Sequence, residues 1–249
     1  MCGRYATTRS AADLSALFES SDETGGRLVA DFNVAPTDPV PMVRNSQVDG
    51  RMLTVARWGL VPSWARDSRG AARMINARAE TVATGKAFAA SFARRRCLIP
   101  ADGWYEWVRR DGAGKQPYFM TPVDGSVLAF AGLWSVWSPP DRASGAAESA
   151  DPLVSCAVLT TAARGDLALV HDRMPLLLPA ERWPDWLAGG GDPARLLTPP
   201  GDELLTEIEI RPVGPSVGDV RNDGPDLVVR VPAPPLAAPA TETVELTLF

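Results

Sequence analysis

At 249 residues and 45% hydrophobic content the chain can bury a sizeable core, and without an apolar run of membrane-spanning length it excludes a helical membrane protein. A net charge of −5 excludes a uniformly basic nucleic-acid binder, and three widely spaced cysteines, Cys2, Cys97 and Cys156, exclude a disulfide framework or a zinc ribbon. The start has no basic segment leading into an apolar stretch and a cleavage site, so a cytoplasmic protein is expected.

In chain order, the spacing of Leu14, Leu17 and Phe18 behind Ser10 predicts a short amphipathic helix over residues 10–20. An irregular, proline-bearing segment from Asp31 to Thr37 leads into a strand near Pro39–Arg44, with a hairpin partner over Met52–Leu60. The next turn carries Trp58 and Trp64 around Gly59 and Pro62, where aromatics either stack on bases or cap a core. Asn76 and Arg78 then precede residues 82–95, whose composition predicts a helix, so they are placed to hold an anion at a helix start. Cys97–Trp107, Pro117–Thr121, Ser126–Trp137 and Leu153–Thr161 read as strands, and Ser138–Pro152 as a loop. Two short helices are expected between Ala180 and Leu205, one more strand over Glu207–Val213, and a turn or short helix within Gly214–Gly224.

Chemistry concentrates in a few places. Removal of Met1 would leave Cys2 as an N-terminal 1,2-aminothiol, with an amine pKa of about 7.7–8.0 and a thiol pKa of about 8.5, both partly deprotonated near neutral pH. Such a pair forms a Schiff base with an aldehyde and then closes a thiazolidine ring. Glu106 lies among Trp104, Tyr105 and Trp107, where burial raises a carboxyl pKa toward neutrality. His171 is the sole histidine and has the intrinsic pKa for proton transfer at neutral pH. Basic residues dominate between Arg57 and Arg96, opposed only by Asp67 and Glu80, whereas acidic residues prevail after Asp202, so one face could meet a polyanion.

The motifs MCGR, FNVAPT, WGLVPSW, INARAET, ADGWYEW, TTAA, HDRMP and VGDVRN, in that order, resemble the SRAP (SOS response-associated peptidase) family of abasic-site processing proteins over residues 2 to about 230. The resemblance implies an α+β fold with curved, mostly antiparallel sheets forming a barrel-like core with flanking helices, and a monomer that captures abasic sites in single-stranded DNA as a covalent crosslink. Under it, Cys2 is the nucleophile, Asn76 orients the sugar, and Glu106 and His171 move protons. Arg4 and Arg78 hold phosphates, while Asn33, Pro36 and Trp64 line the DNA path. Ala65 stands where some relatives carry a second tryptophan. No cofactor or metal is implied. The family name suggests autoproteolytic removal of Met1, with Cys2 and Glu106 as candidates.

Two other classes fit parts of the sequence. An N-terminal-cysteine amidotransferase or amidohydrolase also begins Met-Cys-Gly, and a non-catalytic single-strand binding module would use the same basic and aromatic residues. Residues 1–230 form the expected domain, and a Pro/Ala-rich tether from Val231 leads to Glu245–Phe249, which resembles a sliding-clamp docking peptide or, equally, a final strand.

Overall fold

The computed structural model describes residues 2–46, 50–110, 114–139, 151–188 and 192–236. Its strands, in chain order, are β1 (Tyr5–Thr7), β2 (Ser21–Asp22), β3 (Asp31–Val34), β4 (Pro39–Asn45), β5 (Arg51–Trp58), β6 (Asn76–Arg78) and β7 (Arg96–Ala101). They continue as β8 (Gly103–Arg110), β9 (Gly114–Pro122), β10 (Leu128–Trp137), β11 (Leu153–Ala162), β12 (Arg173–Pro175) and β13 (Ile208–Pro212). Short α-helices lie at α1 (Ala11–Leu17), α2 (Ala89–Arg94), α3 (Trp183–Leu187) and α4 (Asp202–Thr206).

The fold is the expected mixed α+β type. One sheet has the order β13-β9-β8-β1-β3. In the other, β11, β10, β7, β4 and β5 form a closed ring, because β11 returns to pair in parallel with β5, Ser155 against Arg57 and Cys156 against Trp58. Closure removes exposed strand edges from the centre of the molecule. The short strands β6 and β12 pair with β11 on opposite edges, beyond β5 and β10 respectively, and β2 pairs in parallel with β5.

The sheets meet across an aromatic cluster. Tyr5 packs edge-on against Trp58 at 5.0 Å and against Phe130 at 5.9 Å, and Trp104 packs edge-on against Phe130 at 6.2 Å. All four rings are buried, and the geometry is the one ring quadrupoles favour. Gly103 lets β9 approach β8 closely, since a Cβ there would sit 2.3 Å from the Met120 carbonyl oxygen.

Local differences from the sequence expectations have identifiable causes. In α1, Ser10 Oγ accepts from the Asp13 amide at 3.1 Å as a cap. Only Leu14 and Phe18 turn inward, and Leu17 is exposed. The helix expected over residues 82–95 shrinks to Ala89–Arg94. Thr81, Val82, Thr84 and Gly85 are poor helix formers, and Gly85 N–H closes a turn on the Thr81 carbonyl at 2.8 Å instead. Asn76 and Arg78 therefore belong to a strand beside β11 and not to a helix start, so helix-terminal anion binding does not apply to them.

Between Ala180 and Leu205 the helix α3 and most of α4 flank a 3-10 turn over Pro193–Leu197. Residues 140–150 of the expected loop, and Glu245–Phe249 of the tail, lie outside the described residues. No helix among the described residues is long and apolar enough to cross a membrane.

Candidate functional site

Cys2 enters the structure just ahead of β1, whose antiparallel pairing with β8 sets Tyr5 against Trp104. Strand alternation puts Trp104 and Glu106 on one face of β8 and Tyr105 on the other, where its hydroxyl donates to the Phe32 carbonyl at 2.7 Å. Cys2 is fully buried and belongs to the same core cluster as Tyr5, Trp58 and Trp104. Its Sγ lies 4.0 Å from the Arg4 carbonyl. From β6, Asn76 Nδ2 donates to the Cys2 carbonyl at 2.7 Å, while Asn76 Oδ1 is buried and accepts no hydrogen bond among the described residues.

Burial dominates the electrostatics around Cys2. Burial, followed by the Glu106 carboxylate, raises the Cys2 thiol well above its ordinary pKa. A thiolate in this apolar cluster would lose its solvation, so with Met1 attached burial favours the neutral thiol. Glu106 is itself buried, and that burial raises its carboxyl pKa, with His171 among the groups opposing the rise.

His171 sits in the turn before β12. Its Nδ1 accepts from the Arg173 amide at 2.9 Å and lies 2.7 Å from Asp172 Oδ1. One nitrogen cannot do both in one protonation state. A neutral ring accepts the amide N–H at Nδ1 and carries its proton on Nε2, whereas an imidazolium donates Nδ1–H to Asp172.

Asn76 is thus hydrogen-bonded to Cys2, and Glu106 is near enough to Cys2 and His171 for their charges to be felt. The residues expected along a DNA path are placed differently from one another. Arg4 donates to Asn33 Oδ1 and to the Val217 carbonyl at 3.1 Å, and buried Asn33 donates to the carbonyls of Asp219 at 3.0 Å and Asn222 at 2.8 Å. Together they clamp the 217–222 turn onto β3. Pro36 is half-buried and precedes Thr37, whose φ of 84° is unusual for a β-branched residue.

Arg78 is exposed, and its guanidinium forms no hydrogen bond or ion pair among the described residues. Trp64 is 60% exposed, with Lys86 Nζ 5.4 Å from its ring, and borders a groove with Ser63, Ser91, Arg94 and Arg95. Trp58, its companion on the same turn, is wholly core. Arg96 leaves the basic face altogether: it is buried, with Nε donating to the Trp186 carbonyl at 2.6 Å.

Sequence reasoning missed one element of the surroundings. Arg173 forms a two-pronged ion pair with Glu80, at 2.6 and 2.9 Å, and donates to the Thr160 carbonyl at 2.6 Å. It joins the segments following Asn76 and His171 across the end of β11. The place of Arg173 two residues after His171 in HDRMP was the available signal, but nothing in the sequence paired Arg173 with Glu80. Among the described residues no cluster of His, Cys, Asp and Glu could hold a metal ion.

The family model described as SOS response associated peptidase (SRAP) matches residues 1–220. The chain belongs to the SRAP family. The abasic site processing protein YoqW of Bacillus subtilis (strain 168) is 33% identical to it over 232 residues, covering 92% of this chain and 99% of that protein. YedK of Escherichia coli (strain K12), also called an abasic site processing protein, is 31% identical over 235 residues, covering 92% of this chain and 99% of its own. HMCES of Gallus gallus, named likewise, is 29% identical and is covered over 78% of its length, against 93% of this chain. A crystal structure of a protein from Bacteroides thetaiotaomicron shares the fold with a TM-score of 0.77 at 22% identity, covering 92% of this chain and 100% of that one.

Proposed function

We propose that this SRAP protein captures abasic sites in single-stranded DNA as a monomer, through a covalent thiazolidine on Cys2 once Met1 has been removed. The observation that carries the reading is the buried Cys2 held by Asn76 and electrostatically coupled to Glu106. The freed amine attacks the aldehyde carbon of the ring-opened deoxyribose to give a carbinolamine. Loss of its hydroxyl as water leaves an imine, Cys2 Sγ adds to the imine carbon, and the thiol proton ends on the ring nitrogen.

Each step needs a proton donor or acceptor that titrates near neutrality. Glu106, with its raised pKa, suits deprotonation of the thiol and protonation of the departing hydroxyl. His171 assists that chemistry and its reversal. A thiol kept neutral until the imine forms is also protected from oxidation and from competing electrophiles. Asn76 Oδ1, still lacking a donor, would accept from a sugar hydroxyl.

Arg78 and Trp64 are the exposed groups suited to a phosphate and a stacked base, while Arg4 and Asn33 would act by holding the 217–222 turn in place. Autoproteolytic loss of Met1 through Cys2 and Glu106 belongs to the same proposal, as does clamp docking by Glu245–Phe249. Unchanged clamp binding after deletion of the last five residues would end that last idea.

The deciding experiment incubates purified protein with single-stranded DNA carrying one abasic site, followed by a denaturing gel and intact mass. A shifted band, absent for Cys2→Ala and with a mass lacking Met1 and one water, is expected. If no Cys2-dependent adduct forms on protein shown to lack Met1, the proposal fails.

A further inference from the structure

The ring of strands has an opening where β5 and β11 part. They pair only at Ser155 with Arg57 and Cys156 with Trp58. Before that point Leu153 and Val154 diverge from Met52–Ala56, leaving a cleft of about 640 Å³. The size suits a small-molecule ligand. Its walls combine aliphatic side chains from β4, β5 and β11 with three guanidiniums, those of Arg27, Arg44 and Arg57.

None of these arginines forms an ion pair with a carboxylate among the described residues, although Glu23 and Asp151 also reach the cleft. Arg27 Nε donates to the Thr24 carbonyl at 2.9 Å. Two polar atoms of lining residues, Arg44 Nε and Thr54 Oγ1, are buried without a hydrogen-bond partner among the described residues. Native interiors seldom leave such atoms unsatisfied unless something else supplies the partner.

We propose that this cleft binds a phosphate group on a nucleotide-sized ligand, separately from the Cys2 site. Three cations outnumber two carboxylates, the forked guanidinium matches phosphate oxygens, and the aliphatic wall is suited to a flat base. The phosphate could come from a free nucleotide or from a DNA strand. The second source has a path: Arg44 lies 4.7 Å from the centre of the Trp134 ring and Arg95, from the Trp64 groove, lies 5.3 Å from the same ring. Trp134 therefore links the cleft to that groove through cation–π contacts.

The test titrates the full chain with inorganic phosphate, a deoxynucleoside 5′-monophosphate and an undamaged single-stranded oligonucleotide. Binding is read by calorimetry and by the arginine Nε–Hε signals in NMR. Saturable binding that shifts the Arg44 Hε signal and weakens about tenfold in Arg44→Met and in Thr54→Val is expected. Cys2→Ala should leave it unchanged, which separates this site from abasic-site capture.

Binding of the mononucleotide assigns a free nucleotide, and binding of the oligonucleotide alone assigns a strand arriving past Trp134. Thr54→Val nearly conserves side-chain shape and serves if Arg44→Met does not fold. Absence of saturable binding by all three probes up to about 1 mM, or binding that neither variant weakens, overturns the proposal.

Discussion

Replacing Asn76 with alanine tests how the reactive residue is held. The change removes the 2.7 Å hydrogen bond to the Cys2 carbonyl and deprives an acceptor on a fully buried residue of that donor. A net hydrogen bond contributes about 1 kcal/mol, and a stranded buried acceptor costs about 1–3 kcal/mol. Stability should therefore fall by roughly 1–3 kcal/mol, with about 2–4 °C of Tm lost per kcal/mol in a chain of this size. The effect on rate should be larger, because misplacing a reacting group by about 1 Å costs on the order of a hundredfold.

Asn76→Asp should be worse than alanine. It puts an acceptor against the same carbonyl and adds negative charge to a site that already contains Glu106. Thermal unfolding and single-turnover crosslinking to abasic single-stranded DNA, measured on the same preparations, check both effects. Wild-type crosslinking rates with an unchanged Tm in Asn76→Ala would refute the argument that this bond positions Cys2.

Glu106→Gln should change the pH dependence of stability as well as crosslinking. Burial raises the Glu106 pKa, so the wild type has its full stability below the ordinary carboxylate range and loses it as pH rises through the elevated value. Urea midpoints should therefore coincide near about pH 4, and the glutamine variant should be the more stable near about pH 8. The reverse order would contradict the assignment. Trp64→Ala, at a 60% exposed ring, should leave stability within about 0.5 kcal/mol of wild type. Fluorescence anisotropy with single-stranded DNA should show a loss of about 1–3 kcal/mol in affinity, and unchanged affinity would remove Trp64 from the DNA path.

Much of the architecture was legible because local chemistry and tertiary demand agree. Alternation and turn residues marked β4, β5, β10 and β11, and Ser10 announced the start of α1. The helix over residues 82–95 failed where a favourable overall composition concealed Thr81–Gly85, a turn-former run that a window average does not register. The run of aromatics around Glu106 correctly signalled burial and the direction of its pKa. Burial of the Cys2 thiol was not legible, since the sequence shows a position next to a chain terminus, ordinarily solvated, and only packing shows it inside the core.

By itself the sequence determined the reactive groups: an aminothiol in prospect at Cys2, a carboxyl among aromatics at Glu106, a single imidazole at His171 and an amide at Asn76. Only the tertiary structure decided how they meet. Closure of β11 onto β5, with β6 and β12 on its opposite edges, brings together residues separated by 74 positions, such as Asn76 and Cys2. It also decided which arginines face solvent and which, like Arg96, are structural. Side-chain chemistry is carried by each residue, whereas solvation, alignment and partners depend on neighbours distant in sequence, which the folded chain alone supplies.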